Sequence, residues 1–265
     1  MIENIKEIAL SLGNLLNKWR ENKKFAGKWV GSQFKAEADV MAHDFLIQQL
    51  AKLTPTIPVV SEEGLNIVAA YPERYWLIDP IDGTASFING FAGFVIEIAF
   101  IEKNFPIKAV VFAPALNTLY HAEKHLGAYC NNKQVTCLKN TLPLCIIDNT
   151  PTPSGITQYI KEKMNIEHYL ESGSIALKIC KVADGSADLF IKNVPIKNWD
   201  TAGAQLILEE AGGLLFDING KKLKYDNTFS GNGIIACQST LIAKEVMRYL
   251  SGYDNPSLRS LQDYS

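Results

Sequence analysis

No apolar stretch of this 265-residue sequence approaches the roughly 20 residues that a helix needs to span a bilayer. The first residues, from Met1 to Glu7, carry acids and lack the apolar core of a secretory signal peptide. The sequence therefore predicts a protein without an integral membrane segment, and we expect it to be cytoplasmic.

The sequence also lacks any block rich in lysine and arginine, and its net charge is −2. Proteins that bind a nucleic-acid polymer need a basic stripe to neutralise phosphates, so such a partner is not expected. A small phosphorylated substrate is compatible with this charge, because metal ions can supply positive charge. Whether the chain is a monomer or a homodimer stays open.

Cysteine and histidine are few and scattered. The five cysteines form no C-x-x-C pair and mostly adjoin apolar residues, so we interpret them as reduced structural thiols. The four histidines show no H-E-x-x-H spacing. Any metal ion is therefore expected to have oxygen ligands, which favours Mg²⁺, Mn²⁺ or Ca²⁺ over Zn²⁺.

Hydrophobic residues make up 47% of the chain, enough for a sizeable core. Apolar spacing predicts helices over 2–23, 36–53, 156–164, 175–182, 201–211 and 241–250. It predicts strands over 59–60, 75–78, 94–102, 107–113, 118–121, 128–130, 145–148, 168–171, 187–191, 214–217 and 234–237, with a turn or hairpin at 27–34. We predict a protein of the α/β (α+β) class, with residues 1–140 around a mixed or antiparallel sheet and residues 141–265 forming an α/β half.

The segment from Trp76 to Gly90 is the most informative part of the chain. Its apolar start ends on Asp-Pro-Ile-Asp-Gly-Thr at 79–84, which indicates a buried strand that carries two carboxylates to a sharp turn. A short helix is expected next, with Thr84 as its N-cap. Paired buried acids need a cation, whereas a helix start suits an anion. The pattern therefore predicts a metal-dependent phosphate site.

Two further acidic signals support this hypothesis. Glu62 and Glu63 follow the strand at 59–60, and Asp200 precedes a predicted helix. Taken singly, the glutamates read as solvated surface and Asp200 as a helix N-cap. The spacing of Asp79 and Asp82 does not fit a calcium EF-hand loop, which needs acids at alternate positions. It also differs from the two-residue separation of phosphatases with an aspartyl nucleophile, which favours two ligands that share a metal.

Together these segments resemble the inositol monophosphatase superfamily. The matching motifs are Ser-Glu-Glu at 61–63, Trp-Leu-Ile-Asp-Pro-Ile-Asp-Gly-Thr at 76–84, Trp-Asp-Thr-Ala-Gly at 199–203 and Glu-Glu-Ala-Gly-Gly at 209–213. The resemblance extends from about Asp39 to Cys237. It implies a layered αβαβα sandwich and a phosphomonoesterase that uses two or three Mg²⁺ ions.

The resemblance also implies roles for individual residues. One Mg²⁺ is expected between Glu62, Asp79 and the carbonyl of Ile81, and a second between Asp79, Asp82 and Asp200. A third, weaker ion would use Glu62 and water.

The same resemblance places the reacting water and the phosphate at the turn. Thr84, oriented by Asp39, would position and help to deprotonate the water, with Glu62 acting through the third ion. The backbone N–H groups of Gly83 and Thr84 would hold the phosphate. Metal-activated water needs no covalent intermediate.

Within the superfamily, the chain is most similar to the CysQ-like 3′(2′),5′-bisphosphate nucleotidase branch. The similarity lies in residues 53–63, in Arg-Tyr-Trp at 74–76 and in the segment 173–178. It implies substrate contacts from Gly173, Ser174, Lys178, Lys192 and Asp200, the lysines meeting a second phosphate. For both lysines, a solvated surface position is the alternative.

The predicted reaction is removal of the 3′-phosphate of adenosine 3′,5′-bisphosphate. The alternatives are an inositol-1-monophosphatase or broad sugar phosphatase, and a metal- or nucleotide-binding protein without catalysis. Asn193 stands where the inositol branch usually has an acid, which favours the nucleotidase. The sequence departs from the family pattern at 35–38 and at 85–87. Both departures bear on the choice of substrate, and the one at 35–38 also bears on the role of Asp39.

Overall fold

The computed structural model describes residues 1–22, 27–30, 33–64, 71–137, 143–229 and 231–253. Its helices within these residues are α1 (Ile2–Glu21), α2 (Glu37–Leu53), α3 (Thr84–Ile88), α4 (Gly155–Lys163), α5 (Ile175–Ala183), α6 (Ala202–Glu210) and α7 (Thr240–Leu250), with two 3₁₀ helices at Pro114–Leu116 and Asn198–Asp200. Its strands are β1 (Gly27–Val30), β2 (Gln33–Ala36), β3 (Val59–Ser61), β4 (Arg74–Asp82), β5 (Val95–Glu102), β6 (Phe105–Ala113), β7 (Thr118–Glu123), β8 (Ala128–Cys130), β9 (Lys133–Val135), β10 (Cys145–Asp148), β11 (His168–Glu171), β12 (Leu189–Lys192), β13 (Leu214–Asp217) and β14 (Ile234–Cys237).

The strands form two large sheets and one hairpin. The first sheet has seven strands in the order β3-β4-β5-β6-β7-β8-β9, with β3 parallel to β4 and every other pair antiparallel. The second has five strands in the order β11-β10-β12-β14-β13. In it, β11, β10 and β12 are mutually parallel, and β14 runs antiparallel to both of its neighbours. Strands β1 and β2 pair with each other as an antiparallel hairpin.

Three apolar clusters define five layers. Helices α1 and α2 cover the outer face of the first sheet. Helices α5 and α6 lie between the two sheets and share one continuous core with both. Helices α4 and α7 cover the outer face of the second sheet. The predicted αβαβα sandwich is therefore confirmed.

The outer helices form because their apolar residues recur once per turn. The buried stripe of α1 contains Ile5, Ala9, Leu12 and Leu16, which are fully buried. Residues four apart lie on one helical face, and α2 repeats the pattern with Ala38, Ala42, Leu46 and Leu50. Burying one such leucine contributes about 1.5–3 kcal/mol, so the stripes hold both helices against the sheet.

Most predicted elements lie within a few residues of the observed ones, but two details differ. Strand β9 is an extra short strand that pairs with β8 and was not predicted. Thr84 is the first residue of α3 rather than its N-cap, because Gly83 occupies the cap position with a φ of 89°. The predicted boundary between the two halves, at residue 140, lies outside the described residues. None of the helices in the described ranges combines the length and apolarity that crossing a bilayer requires.

Candidate active site

The strand β4 carries two carboxylates to a point where its pairing with β5 becomes irregular. Between Asp79 and Asp82 the register shifts, so that two residues of β4 lie opposite one of β5. Pro80 has no N–H for the sheet ladder, and the N–H of Ile81 donates to Asp79 Oδ1 at 3.0 Å. Such a bulge re-aims side chains. Both carboxylates are buried, with Asp79 only 1% exposed.

Thr84 follows this bulge and is held from two sides. Its Oγ1 lies 3.0 Å from Asp39 Oδ1 and 3.2 Å from the carbonyl oxygen of Ile81. Asp39 is buried in the first turn of α2. A hydroxyl has one proton to donate and two lone pairs. Thr84 Oγ1 therefore donates its single proton to one of these two acceptors at a time, and its lone pairs keep the capacity to accept a hydrogen bond from water.

The second carboxylate contacts the beginning of α5. The N–H of Ala176 donates to Asp82 Oδ2 at 3.0 Å. The N-cap of this helix is Ser174, whose Oγ accepts from the N–H of Leu177 at 3.0 Å. A negative charge is favourable near a helix N-terminus. The helix thus offsets part of the cost of burying Asp82.

Two glycines bring the loop before α5 against the loop before β5. The N–H of Ser174 donates to the carbonyl oxygen of Gly93 at 2.7 Å. A Cβ at Gly173 would lie 2.1 Å from that oxygen, which no side chain tolerates. The absence of side chains at Gly93 and Gly173 is therefore what allows α5 to reach Asp82.

Glu62 and Asp200 complete the acidic group from two other elements. Glu62 follows β3, and its N–H donates to the carbonyl oxygen of Ile78 at 3.4 Å. Asp200 ends the 3₁₀ helix that precedes α6, and its Oδ2 accepts from the N–H of Lys197 at 2.9 Å. This contact, rather than an N-cap of α6, is the local role of Asp200. The negative charges of Glu62, Asp82 and Asp200 all act on the Asp79 carboxylate.

Burial and mutual repulsion favour the protonated forms of these acids. Burial, followed by the charges of Glu62 and Asp82, raises the pKa of Asp79 well above its usual range. Burial and the charge of Asp82 likewise raise the pKa of Asp200. For Asp82, burial raises the pKa, and the N–H of Ala176 and the charge of Lys178 oppose it. The raised pKa values show that the surrounding protein does not balance the negative charges of these carboxylates.

The donor chemistry fits a hard divalent cation. Carboxylate and carbonyl oxygens are the ligands that Mg²⁺ and Ca²⁺ prefer, and a cation would remove the repulsion among the buried acids. In the part of the chain that the structure describes, no three acidic, histidine or cysteine side chains are grouped so that they could hold a metal ion. The metal-ligand roles of Glu62, Asp79, Asp82 and Asp200 therefore stay a prediction.

Neither predicted substrate lysine is a solvated surface residue. Lys178 is only 2% exposed, its Nζ donates to the carbonyl oxygen of Gly173 at 2.5 Å, and burial lowers its pKa to about 8. Lys192 contacts Asp148 Oδ1 at 3.0 Å and Asn149 Oδ1 at 2.7 Å. Their contact with a second phosphate stays a prediction.

A cavity of about 690 Å³ lies beside the turn. The first residues of α3 form one of its walls, and the loop before α5 forms another. Phe91 gives it an exposed aromatic ring, and Asn149, the partner of Lys192, lies in its lining. Its volume is in the range of small-molecule sites.

The chain matches the model of the inositol monophosphatase family over residues 3–252. It belongs to that family. A relative from Salmonella typhimurium, named 3′(2′),5′-bisphosphate nucleotidase CysQ, is 35% identical over 233 residues, which cover 85% of this chain and 94% of the relative. A Thermotoga maritima protein named fructose-1,6-bisphosphatase/inositol-1-monophosphatase is 31% identical over 82% of this chain and 84% of its own length.

Solved structures agree with this membership. The Thermotoga maritima IMPase TM1415 superposes with a TM-score of 0.80 at 28% identity, covering 93% of this chain and 94% of its own. The predicted membership in the inositol monophosphatase family is thus confirmed. The protein is a phosphatase of this family, whose members are generally metal-dependent.

Two residues near the family motifs escaped the sequence interpretation. Glu97 of β5 is fully buried opposite Asp79 and interacts electrostatically with the acidic group. The sequence signal for Glu97 is a single acidic residue within the apolar run 95–99. His43 lies one turn after Asp39 on α2, and its Nδ1 is 2.8 Å from Ser61 Oγ, beside Glu62. Helix α2 therefore contacts both the turn at Thr84 and the end of β3.

Proposed function

We propose that this phosphatase removes the 3′-phosphate of adenosine 3′,5′-bisphosphate in a Mg²⁺-dependent reaction. The observation that supports the proposal is the pair of buried carboxylates on β4, one of which interacts electrostatically with Asp200, next to a threonine hydroxyl tethered by Asp39. Oxygen donors, excess negative charge and a positioned hydroxyl are what metal-assisted ester hydrolysis requires. The names of the nucleotidase relatives support the choice of substrate.

The proposed metal ligands are Glu62, Asp79, the carbonyl of Ile81, Asp82 and Asp200, which would hold two ions, or three with a weaker one at Glu62. When bound, Mg²⁺ lowers the pKa of water and neutralises the charge that develops on the phosphoryl oxygens.

The residues of the turn are proposed to orient the attacking water and to bind the phosphate. Thr84 Oγ1 accepts a hydrogen bond from the attacking water and donates its own proton to Asp39, which sets the direction of attack. Gly83 and Thr84 carry the first N–H groups of α3, which have no acceptor within the helix. These two N–H groups are proposed to hold the phosphate. In the proposed reaction the water oxygen bonds to phosphorus as the bond to the 3′ oxygen breaks. The water loses one proton and the 3′ oxygen gains one, which gives the nucleoside 5′-phosphate and inorganic phosphate.

The 5′-phosphate and the nucleoside are proposed to interact with the cavity beside α3. Lys192 reaches the lining residue Asn149, and its ammonium group has three N–H donors. Phe91 offers a ring on which a base can stack. Lys178 is proposed to act from beneath the loop of Gly173 and Ser174, which would face the substrate.

An inositol-phosphate or sugar-phosphate substrate is the second candidate. The name of the Thermotoga maritima relative, at 31% identity, favours it. The cavity is large enough for either ligand class. Asn193 supports the nucleotide, because its amide lacks the charge that the inositol branch uses to bind sugar hydroxyls.

The decisive experiment compares kcat/KM for adenosine 3′,5′-bisphosphate, inositol 1-phosphate and fructose 1,6-bisphosphate with and without Mg²⁺. We expect the bisphosphonucleotide to be preferred by about tenfold or more, since a second phosphate adds charge-assisted contacts. A preference for inositol 1-phosphate would refute the substrate. Failure to release phosphate from any of the three would favour a binding protein without catalysis.

A further inference from the structure

Glu97 is a carboxylate in the middle of an otherwise apolar strand. It lies on β5 between Ile96 and Ile98, and none of its surface is exposed. Directly paired residues of adjacent strands point to the same face of a sheet, so Glu97 and Asp79 face α5 and α6 together. A buried acid at such a position needs hydrogen-bond donors.

The donors come from the first turn of α6. The N–H groups of Gly203 and Ala204 donate to Glu97 Oε1 at 2.5 and 3.3 Å. These are the second and third N–H groups of the helix, which an N-cap side chain normally accepts. The N-cap residue, Thr201, makes no such bond; its hydroxyl instead donates to the carbonyl oxygen of Asn198. Glu97 therefore caps α6 from another element, about a hundred residues earlier in the sequence.

Gly203 makes this close approach possible. A Cβ at this position would lie 3.0 Å from Glu97 Oε1 and 3.1 Å from Glu97 Cγ, closer than side chains normally pack. A side chain at residue 203 would therefore force the helix start and the carboxylate apart by a few tenths of an ångström. Asp200 stands two residues before α6 begins, so whatever fixes the first turn of α6 also fixes the backbone that carries Asp200.

We propose that Glu97 is a positioning residue that holds the start of α6 against β5 and thereby sets the place of Asp200 relative to Asp79. The inference rests on the proposed metal-dependent phosphatase function and adds to it a residue outside the metal ligands. Its effect on the metal is indirect, through the cap and the backbone between Ala202 and Asp200.

The test measures Mg²⁺ binding by titration calorimetry, without substrate, for the wild type, Glu97→Ala and Glu97→Gln. Alanine leaves the N–H groups of Gly203 and Ala204 without an acceptor. We expect it to weaken Mg²⁺ binding by about ten- to a hundredfold, as loss of supporting contacts around metal sites commonly does. Glutamine keeps an oxygen that accepts both bonds, so we expect it to restore most of the affinity.

The matched control is Glu102→Ala at the other end of the same strand. Glu102 makes a surface ion pair with Arg74 at 2.6 Å, and exposed pairs of this kind contribute little. Its replacement is expected to leave Mg²⁺ affinity unchanged. If Glu97→Ala binds Mg²⁺ as tightly as the wild type, the cap is irrelevant and the proposal is overturned. If the alanine and glutamine variants lose the same affinity, the charge alone matters and the proposal is also overturned.

A second variant tests the same contact from the helix side. Gly203→Ala improves helix propensity but crowds Glu97, so we expect weaker Mg²⁺ binding, by about fivefold or more, with unchanged helix content by circular dichroism. If Glu97→Ala does not fold, the Mg²⁺ affinities of Glu97→Gln and Gly203→Ala test the proposal instead. A Gly203→Ala variant that binds Mg²⁺ as tightly as the wild type refutes it. Wild-type protein that binds Mg²⁺ but hydrolyses no phosphomonoester refutes the proposed function alone. Wild-type protein that binds no Mg²⁺ refutes both.

Discussion

Asp79, Asp82 and Asp200 are carboxyl groups that burial disfavours in their charged forms. The N–H of Ala176 compensates Asp82 in part, and the N–H of Lys197 does the same for Asp200. Asp79 is the most buried of the three and receives repulsion from all of its acidic neighbours. At the scale of single residues, these carboxylates carry an imbalance of charge that the proposed metal ions would remove.

This imbalance predicts how stability depends on pH. Burial raises the folded-state pKa of Asp79, so its contribution to folding is fully present below the unfolded pKa and is lost as pH rises through the folded pKa. In EDTA, we expect the Tm to fall between pH 5 and 8 more steeply for the wild type than for Asp79→Asn. Mg²⁺ should raise the Tm of the wild type most at the higher pH, because it binds the ionised form. Equal slopes in both proteins would contradict the prediction.

Replacement of a single ligand oxygen tests the metal assignment. Asp200→Asn keeps the size of the side chain but removes its charge. We expect activity to fall by about a thousandfold, because metal-held charge stabilises the transition state by several kcal/mol. Asp44→Asn, which alters an exposed carboxylate of α2, should retain activity. The measurements are kcat/KM and a thermal melt; wild-type turnover in folded Asp200→Asn would refute the assignment.

At the scale of elements, α2 and α5 act as supports for the turn between β4 and α3. Helix α2 holds Thr84 through Asp39 and reaches Ser61 through His43. Helix α5 contacts Asp82 through its first turn, and this contact depends on the glycine pair at 93 and 173.

The glycine pair makes a prediction about packing. Gly173→Ala places a Cβ 2.1 Å from the carbonyl oxygen of Gly93, well inside van der Waals contact, so the two loops must move apart. Overpacking of this kind costs about 1–3 kcal/mol or more. We expect the Tm to fall by several degrees, roughly 2–4 °C per kcal/mol, and KM for the phosphate ester to rise. Gly252→Ala is the control, because its nearest atoms are at ordinary contact distance. An equal Tm in both variants would show that the loops separate freely.

Elements with local signals could be predicted from the sequence, whereas cross-chain contacts could not. Apolar residues spaced four apart specify α1 and α2, and the run that ends on Asp-Pro-Ile-Asp-Gly-Thr specifies β4 and its turn. The cap of α6 by Glu97 joins residues more than a hundred positions apart, so no local pattern reveals it. The predicted N-cap role of Thr84 was wrong because Gly83 occupies the cap position, and the Thr84 hydroxyl bonds instead to Asp39 of another helix.

At the scale of the whole molecule, one apolar core joins both sheets through α5 and α6. Residues as distant in sequence as Leu77, Leu177 and Phe190 belong to it. The acidic group has the same property, because Asp79 comes from the first sheet and Asp200 from the segment before α6. Separating the sheets would therefore expose the core and divide the site.

This shared core predicts one cooperative unfolding transition. We expect a single peak in differential scanning calorimetry, with a calorimetric enthalpy equal to the van't Hoff enthalpy. Mg²⁺ should move the whole peak to higher temperature rather than split it, since its proposed ligands come from both parts of the chain. Two separate transitions, with only one sensitive to Mg²⁺, would instead indicate that the halves 1–140 and 141–265 unfold independently.

The contact between Gly93 and Gly173 has a consequence for how this protein can vary. Where two backbones touch without side chains, as at Gly93 and Gly173, the distance between them is set by the peptide units and not by side-chain size. Substitutions in the surrounding layers can change volume and shape while this spacing between Asp82 and α5 stays constant. The contact between the two glycines therefore fixes the distance between Asp82 and α5 without using any side chain.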